Sequence, residues 1–178
     1  MKFKIVITGP PRCGKSTLIK RLIVYCNDKG IHVDGFLTPE VRRGGNRIGF
    51  DIELIDSKER KKFARIGENI TGYRLGKYDV YVKELEVIIS DLEKTDFDKL
   101  NILIIDEIGK MELFSKKFAE FINQLFNMDL SIIATIGERL NHPIKKEIFN
   151  KPNLLLFNLS RNHQDEIFNE ITSLIVEI

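Results

Sequence analysis

Nine residues near the start, GPPRCGKST from Gly9 to Thr17, constrain this chain more than any other feature. Gly9, Gly14, Lys15 and Ser16 satisfy the spacing GxxxxGK[ST]. The apolar run FKIVIT precedes them, and Leu18, Ile19, Leu22, Ile23 and Cys26 follow on one helical stripe. The motif therefore sits between a predicted strand and a predicted helix, the context its chemistry needs. Glycines admit backbone conformations that other residues avoid. Successive amide N–H groups can then curl inward into a nest for a phosphate, and the positive end of the following helix points at the same place. The expected phosphate contacts run through Gly9, Pro10, Pro11, Arg12, Cys13, Gly14, Lys15, Ser16 and Thr17. Lys15 would reach the β- and γ-oxygens, and the Ser16 hydroxyl would bind Mg²⁺. Thr17 would hold the α-phosphate or cap the first helical turn. Cys13 reads as a small packing residue or as an oxidation-sensitive thiol beside a helix N-terminus.

A loop of this kind needs a parallel sheet behind it, and the remaining sequence supplies the pattern. HVDGFLT, NILIID, SIIATI and NLLLFNL are apolar runs of strand length, the last three read as buried strands. Between them, Val82, Leu85, Ile88, Ile89 and Leu92 recur at helical spacing. So do Phe114, Phe118, Phe121, Ile122, Leu125 and Phe126, and then Ile167, Phe168, Ile171, Leu174 and Ile175. EVRRGGNRIGFDIELID, broken at Gly44, Gly45 and Asn46 and followed by Lys58 to Ile66, reads as a β-hairpin or short meander inserted in this alternation, and Gly67 to Tyr81 reads as loop. The expected fold class is α/β: one three-layer P-loop domain over residues 1–178, with a mainly parallel sheet flanked by helices and an inserted hairpin.

Charge and cysteine content remove several other classes. A net charge of +2 from 28 basic and 26 acidic residues gives no broad field for nucleic acid or membrane. The one dense basic stretch, SKERKKF, is short and holds a glutamate, as a solvated hairpin or helix face would. Cys13 and Cys26 form no CxxC pair, and His32, His142 and His163 lie far apart, so neither disulfides nor a zinc site are expected. The first apolar run is too short for a signal segment or membrane span, which makes a cytoplasmic location the expectation.

NILIIDE ends its strand in two carboxylates, Asp106 and Glu107, at the edge where an open parallel sheet places its ligand crevice. Beside a phosphate loop, Asp106 is expected to hold Mg²⁺ and Glu107 to orient or deprotonate a water. Successive strand side chains face opposite ways, so the two can share one task only if the chain turns there, and Gly109 is the residue expected to allow it. The same stretch reads as DxxG, a γ-phosphate sensor of GTPases. No NKxD tetrapeptide accompanies it, which favours the water-activating reading and weak selectivity among bases. Thr135, ending SIIATI, would reach the attacking water or γ-phosphate, or serve as an ordinary strand-end threonine. Arg42, Arg43, Arg47, Arg139 and Arg161 all fall at predicted loops or strand ends, and sequence does not choose among them as a neutraliser of transferring charge.

Taken with these motifs, GFLTPEVR, RIGFDI, LGKYDVYV, IIDEIGKMELFS and RLNHP make the chain resemble the thermophile-type, or cancer-related, nucleoside-triphosphatase family over nearly its whole length. The resemblance implies a RecA-like or nucleotide-kinase-like core. It also implies slow, Mg²⁺-dependent hydrolysis of ATP, GTP, CTP and UTP to diphosphates, with Lys15, Ser16, Asp106 and Glu107 in the roles above. Members often carry Asn-Arg-Asp after the last strand where this chain has His163, Gln164 and Asp165. The expected activity is nucleoside-triphosphate hydrolysis. The alternatives are transfer of the γ-phosphate to a nucleoside, nucleotide or RNA end, or a binding module timed by hydrolysis.

Overall fold

The computed structural model describes residues 2–68 and 70–176, so the expected domain limits at 1 and 178 lie outside the described residues. Its elements run β1 (Lys4–Gly9), α1 (Lys15–Asp28), β2 (Val33–Leu37), β3 (Glu40–Arg43), β4 (Asn46–Leu54), β5 (Arg60–Ile66), β6 (Arg74–Leu75), β7 (Tyr78–Val80) and α2 (Val82–Leu92). There follow β8 (Ile102–Ile108), α3 (Lys116–Asn127), β9 (Ser131–Gly137), α4 (Pro143–Phe149), β10 (Leu154–Asn158) and α5 (Gln164–Ile175). One sheet takes the order β10-β1-β9-β8-β2-β4-β5-β7-β6, with β3 paired to β4. From β10 to β2 it is parallel, and from β4 onward antiparallel.

The three central strands are buried on both faces, and their alternation divides the core in two. Val6, Leu103, Ile105, Ile132 and Ala134 pack with α2, α3 and α4. Ile5, Ile7, Ile102, Ile104 and Ile133 pack with α1 and α5. Helices on both faces of a parallel sheet give the three layers. The antiparallel extension joins the first core through Ile52, Leu54, Phe63 and Val80, which pack with Leu85, Ile88 and Ile89 of α2.

Four expectations change. Gly67 to Tyr81 is not wholly loop, because β6 and β7 form a short hairpin that continues the sheet. Phe114 precedes α3 in a 3-10 turn, and the helix starts after Ser115, whose Oγ accepts the Phe118 N–H at 3.1 Å. α4 was not foreseen; it follows the His142-Pro143 pair, where His142 Nδ1 accepts the Ile144 N–H at 3.2 Å. β10 is an edge strand rather than a buried one, pairing with β1 alone and leaving Leu155 and Leu156 exposed. SKERKKF holds the turn from β4 and the start of β5, as a solvated hairpin would.

Candidate functional site

β1 delivers the chain to the sheet's C-terminal edge, and residues 10–14 loop over to α1. Arg12 (φ 63°) and Gly14 (φ 104°) take left-handed backbone conformations. A Cβ at Gly14 would also fall 2.3 Å from Nε2 of Gln164, so that amide would have to give way. That amide reaches across from α5 and donates to the Cys13 carbonyl at 2.9 Å, fastening the loop to the last helix. Lys15 folds back beneath the loop, its Nζ donating to Gly9 O at 3.2 Å, and is buried there. The first amides of α1 have no helical acceptor and are free for an anion. Thr17 is the third helical residue and not the cap; Gly14 stands at that position. Cys13 is buried in the core beside α1, as a packing residue would be.

At the end of β8 the register with β9 slips by one residue. Ile105 pairs with Ala134, yet Ile108 pairs with Ile136, so three steps on β8 match two on β9. Both Ile105 and Ile108 consequently face the α2–α4 core, and the extra residue lets Asp106 and Glu107 line one cavity together. The peptide joining the two acids is cis. The expectation that Gly109 turns the chain is corrected: the bulge lies earlier, and Gly109 does something else. A Cβ on Gly109 would lie 2.6 Å from Glu112 Oε2 and 2.9 Å from Glu107 Oε1. Its hydrogen makes room for two carboxyl groups.

Asp106 is the hub of the arrangement. Thr135 Oγ1 donates to its Oδ1 at 2.6 Å and Thr38 Oγ1 donates to its backbone oxygen at 2.9 Å, while the Ser16 hydroxyl stands near its carboxylate at the start of α1. Burial pushes its carboxyl above the ordinary carboxylate range, while Thr135, Ser16 and then Lys15 pull it back. Burial also raises Glu107, helped by Asp106 and opposed by Lys15. Glu112 is raised furthest above its ordinary 4.5, because it is wholly enclosed and faces Glu107. No group of three or more His, Cys, Asp or Glu among the described residues is arranged to hold a metal. A Ser16 hydroxyl and an Asp106 carboxylate lining the same cavity are hard oxygen donors of the kind Mg²⁺ shares with substrate phosphates and water, so the residues fit that ion.

Ser16, Asp106, Glu107 and Glu112 open on a cavity of about 860 Å³, which Thr135, wholly buried behind Asp106, does not line, so its expected contact with the water or γ-phosphate is replaced by its bond to Asp106. Gly9, Pro11, Arg12, Gly14, Lys15, Ser16 and Thr17 line one end; Pro10 and Cys13, expected among the contacts, do not line it. Of the five arginines, Arg42, Arg47 and Arg139 reach the cavity, whereas Arg43 and Arg161 are exposed outside it.

A family model described as NTPase matches residues 4–172. The nucleoside-triphosphatase THEP1 of Thermotoga sp. (strain RQ2) is 40% identical over 173 residues, covering 97% of this chain and 95% of that one. The chain belongs to the THEP1 nucleoside-triphosphatase family. Two solved structures of THEP1-type proteins are similar to it throughout. The crystal structure of THEP1 from the hyperthermophile Aquifex aeolicus is 35% identical with a TM-score of 0.77, covering 97% of this chain and 99% of that one. The solution structure of a human cancer-related nucleoside triphosphatase is 34% identical with a TM-score of 0.80, covering 97% of each chain. The THEP1 fold is the P-loop NTPase fold, and the resemblance read from IIDEIGKMELFS holds.

Sequence reading missed Glu112 and Gln164. Glu112 stands among Met111, Leu113 and Phe114, and an acid inside an apolar run six residues from a carboxylate pair was the available signal. Nothing local marks Gln164, whose partner lies 151 residues away. Two predictions follow from the buried groups. Thr135→Val leaves an Asp106 oxygen without its donor and is expected to cost about 1–3 kcal/mol, read from denaturant unfolding. A carboxyl group raised in the folded state binds a proton there that the unfolded chain has released. Stability without nucleotide should thus fall as pH rises above 4.5, toward the folded value of Glu112. Glu112→Gln should flatten that fall and stabilise the protein at pH 7, which thermal unfolding across pH would record.

Proposed function

We propose that this chain hydrolyses the terminal phosphate of nucleoside triphosphates with Mg²⁺ and with broad tolerance of the base. The observation that carries the reading is that Lys15, Ser16, Asp106 and Glu107 line one cavity, with Thr135 donating to Asp106 from behind it. The loop amides and the α1 N-terminus hold the phosphate chain, and Lys15 turns from Gly9 O to a phosphate oxygen. Ser16 and Asp106 would hold Mg²⁺, which when bound supplies positive charge against the β- and γ-phosphates. Thr135 keeps the Asp106 carboxylate in place. Glu107 accepts a proton from water as the water oxygen bonds to the γ-phosphorus and the bond to the β-phosphate oxygen breaks. Its raised affinity for a proton suits a base working near neutral pH.

No described helix is long and apolar enough to cross a membrane. A cytoplasmic location is part of the proposal. Base tolerance rests on the lack of an NKxD segment. Phosphate release measured with ATP, GTP, CTP and UTP, each with Mg²⁺, tests it. Values of kcat/KM within about tenfold of one another are expected, a span of ~1.4 kcal/mol. A preference of two orders for guanine would return the stretch at Asp106 to its GTPase reading.

A further inference from the structure

Past Glu107 the cavity continues toward the antiparallel half of the sheet. The phosphate loop follows β1, and Glu107 ends β8, two strands away; β2, β4 and β5 extend the sheet beyond. At about 4.8 Å per strand, Phe63 on β5 lies roughly 20–25 Å along the sheet from β1. Leu37, Thr38 and Pro39, then Arg42 and Arg47 of the hairpin, carry the same cavity out to Phe50, Phe63 and Leu75. A water molecule needs only the place beside Glu107.

The walls of the far half have a chemistry of their own. Arg47 Nη2 meets Glu40 Oε1 at 2.9 Å, and Arg42 Nη2 meets Oε2 of the same residue at 2.6 Å. Two guanidinium groups against one carboxylate leave a net positive charge. Arg47 Nε is buried with no acceptor among the described residues, a donor whose burial costs about 1–3 kcal/mol unless something accepts from it. The same guanidinium lies 5.3 Å from the Phe50 ring centroid, and Phe50 packs against Tyr78 at 5.6 Å. Phe63, Leu75 and Met111 continue the apolar lining. Arginine over an aromatic ring, with apolar floor beyond, suits an anionic group attached to a flat or greasy body.

We infer that this half is a second ligand site, for an organic phosphate monoester bearing a ring: the phosphate on Arg47 with Arg42 behind it, the ring over Phe50 and its apolar neighbours. The inference rests on the reading that the loop end holds the nucleotide, since it assigns only what lies beyond. The probe is phenyl phosphate, titrated by calorimetry into the full chain already saturated with Mg²⁺ and β,γ-imido-ATP. One equivalent should bind without displacing the analogue, and at least tenfold more tightly than methyl phosphate. Arg47→Ala should weaken phenyl phosphate tenfold or more yet leave the analogue's affinity within twofold. Arg47→Lys, which keeps stem and charge but not the Nε donor, should fall between. Arg43→Ala, outside the cavity, should change neither. Absence of binding to the loaded chain, displacement of the analogue, equal binding of methyl phosphate, or loss of both ligands together in Arg47→Ala would each overturn the site. If β,γ-imido-ATP itself fails to bind the native chain, the hydrolytic reading falls first and this inference with it.

Discussion

Glu107→Gln is expected to bind nucleoside triphosphate as the native chain does and to release phosphate about 10²–10⁴ times more slowly, the range associated with a positioned general base. The substitution preserves size and leaves the bulge of β8 untouched, and it removes one negative charge from a site where Glu107 and Glu112 both approach the Gly109 Cα. Binding should therefore hold or tighten while kcat falls. That split distinguishes a base from a phosphate ligand, whose loss would raise KM. Equilibrium binding of β,γ-imido-ATP beside single-turnover phosphate release would show it. A variant hydrolysing at near the native rate would take Glu107 out of the mechanism and leave water activation to the substrate itself.

Lys15→Ala should fail at both stages. The ammonium group is buried under the loop and donates to Gly9 O, so it stands ready at the point where the phosphate chain arrives. Its removal is expected to weaken nucleotide binding at least tenfold, about 1.4 kcal/mol. A preorganised charge facing the transferring group is also lost, which is expected to slow turnover by a further ~10²–10³-fold. Unfolding of the variant without nucleotide checks that the loop still forms: the Gly14 and Gln164 packing that shapes it does not involve Lys15. Native-like affinity in a folded variant would mean that the amides alone hold the phosphates.

The phosphate loop, its strand and its helix were legible because the information is local. Gly14 must adopt a left-handed conformation, and the apolar runs on either side have unambiguous periods. The carboxylate pair was legible in identity but not in geometry. No residue type announces a one-residue slip between β8 and β9, since it arises from pairing across the sheet, and Gly109 attracted the explanation instead. Gly109 turns out to matter for the space it leaves between Glu107 and Glu112. Glu112 itself was hidden because charge in a sequence suggests exposure, whereas here the 3-10 turn before α3 folds it inward. β10 misled in the opposite direction. Five largely apolar residues read as a covered strand, yet the sheet ends there and one side of the run meets solvent. Whether an apolar strand is central or peripheral depends on what the rest of the chain places beside it, and that is not written in the strand.

Phosphate release from γ-labelled ATP by the native chain in Mg²⁺ decides most directly whether the loop and the carboxylate pair make a hydrolase. One inorganic phosphate per ADP formed is predicted, abolished when a chelator removes the metal and when Lys15 is replaced by alanine. No release, or release indifferent to both the chelator and the lysine, would contradict it.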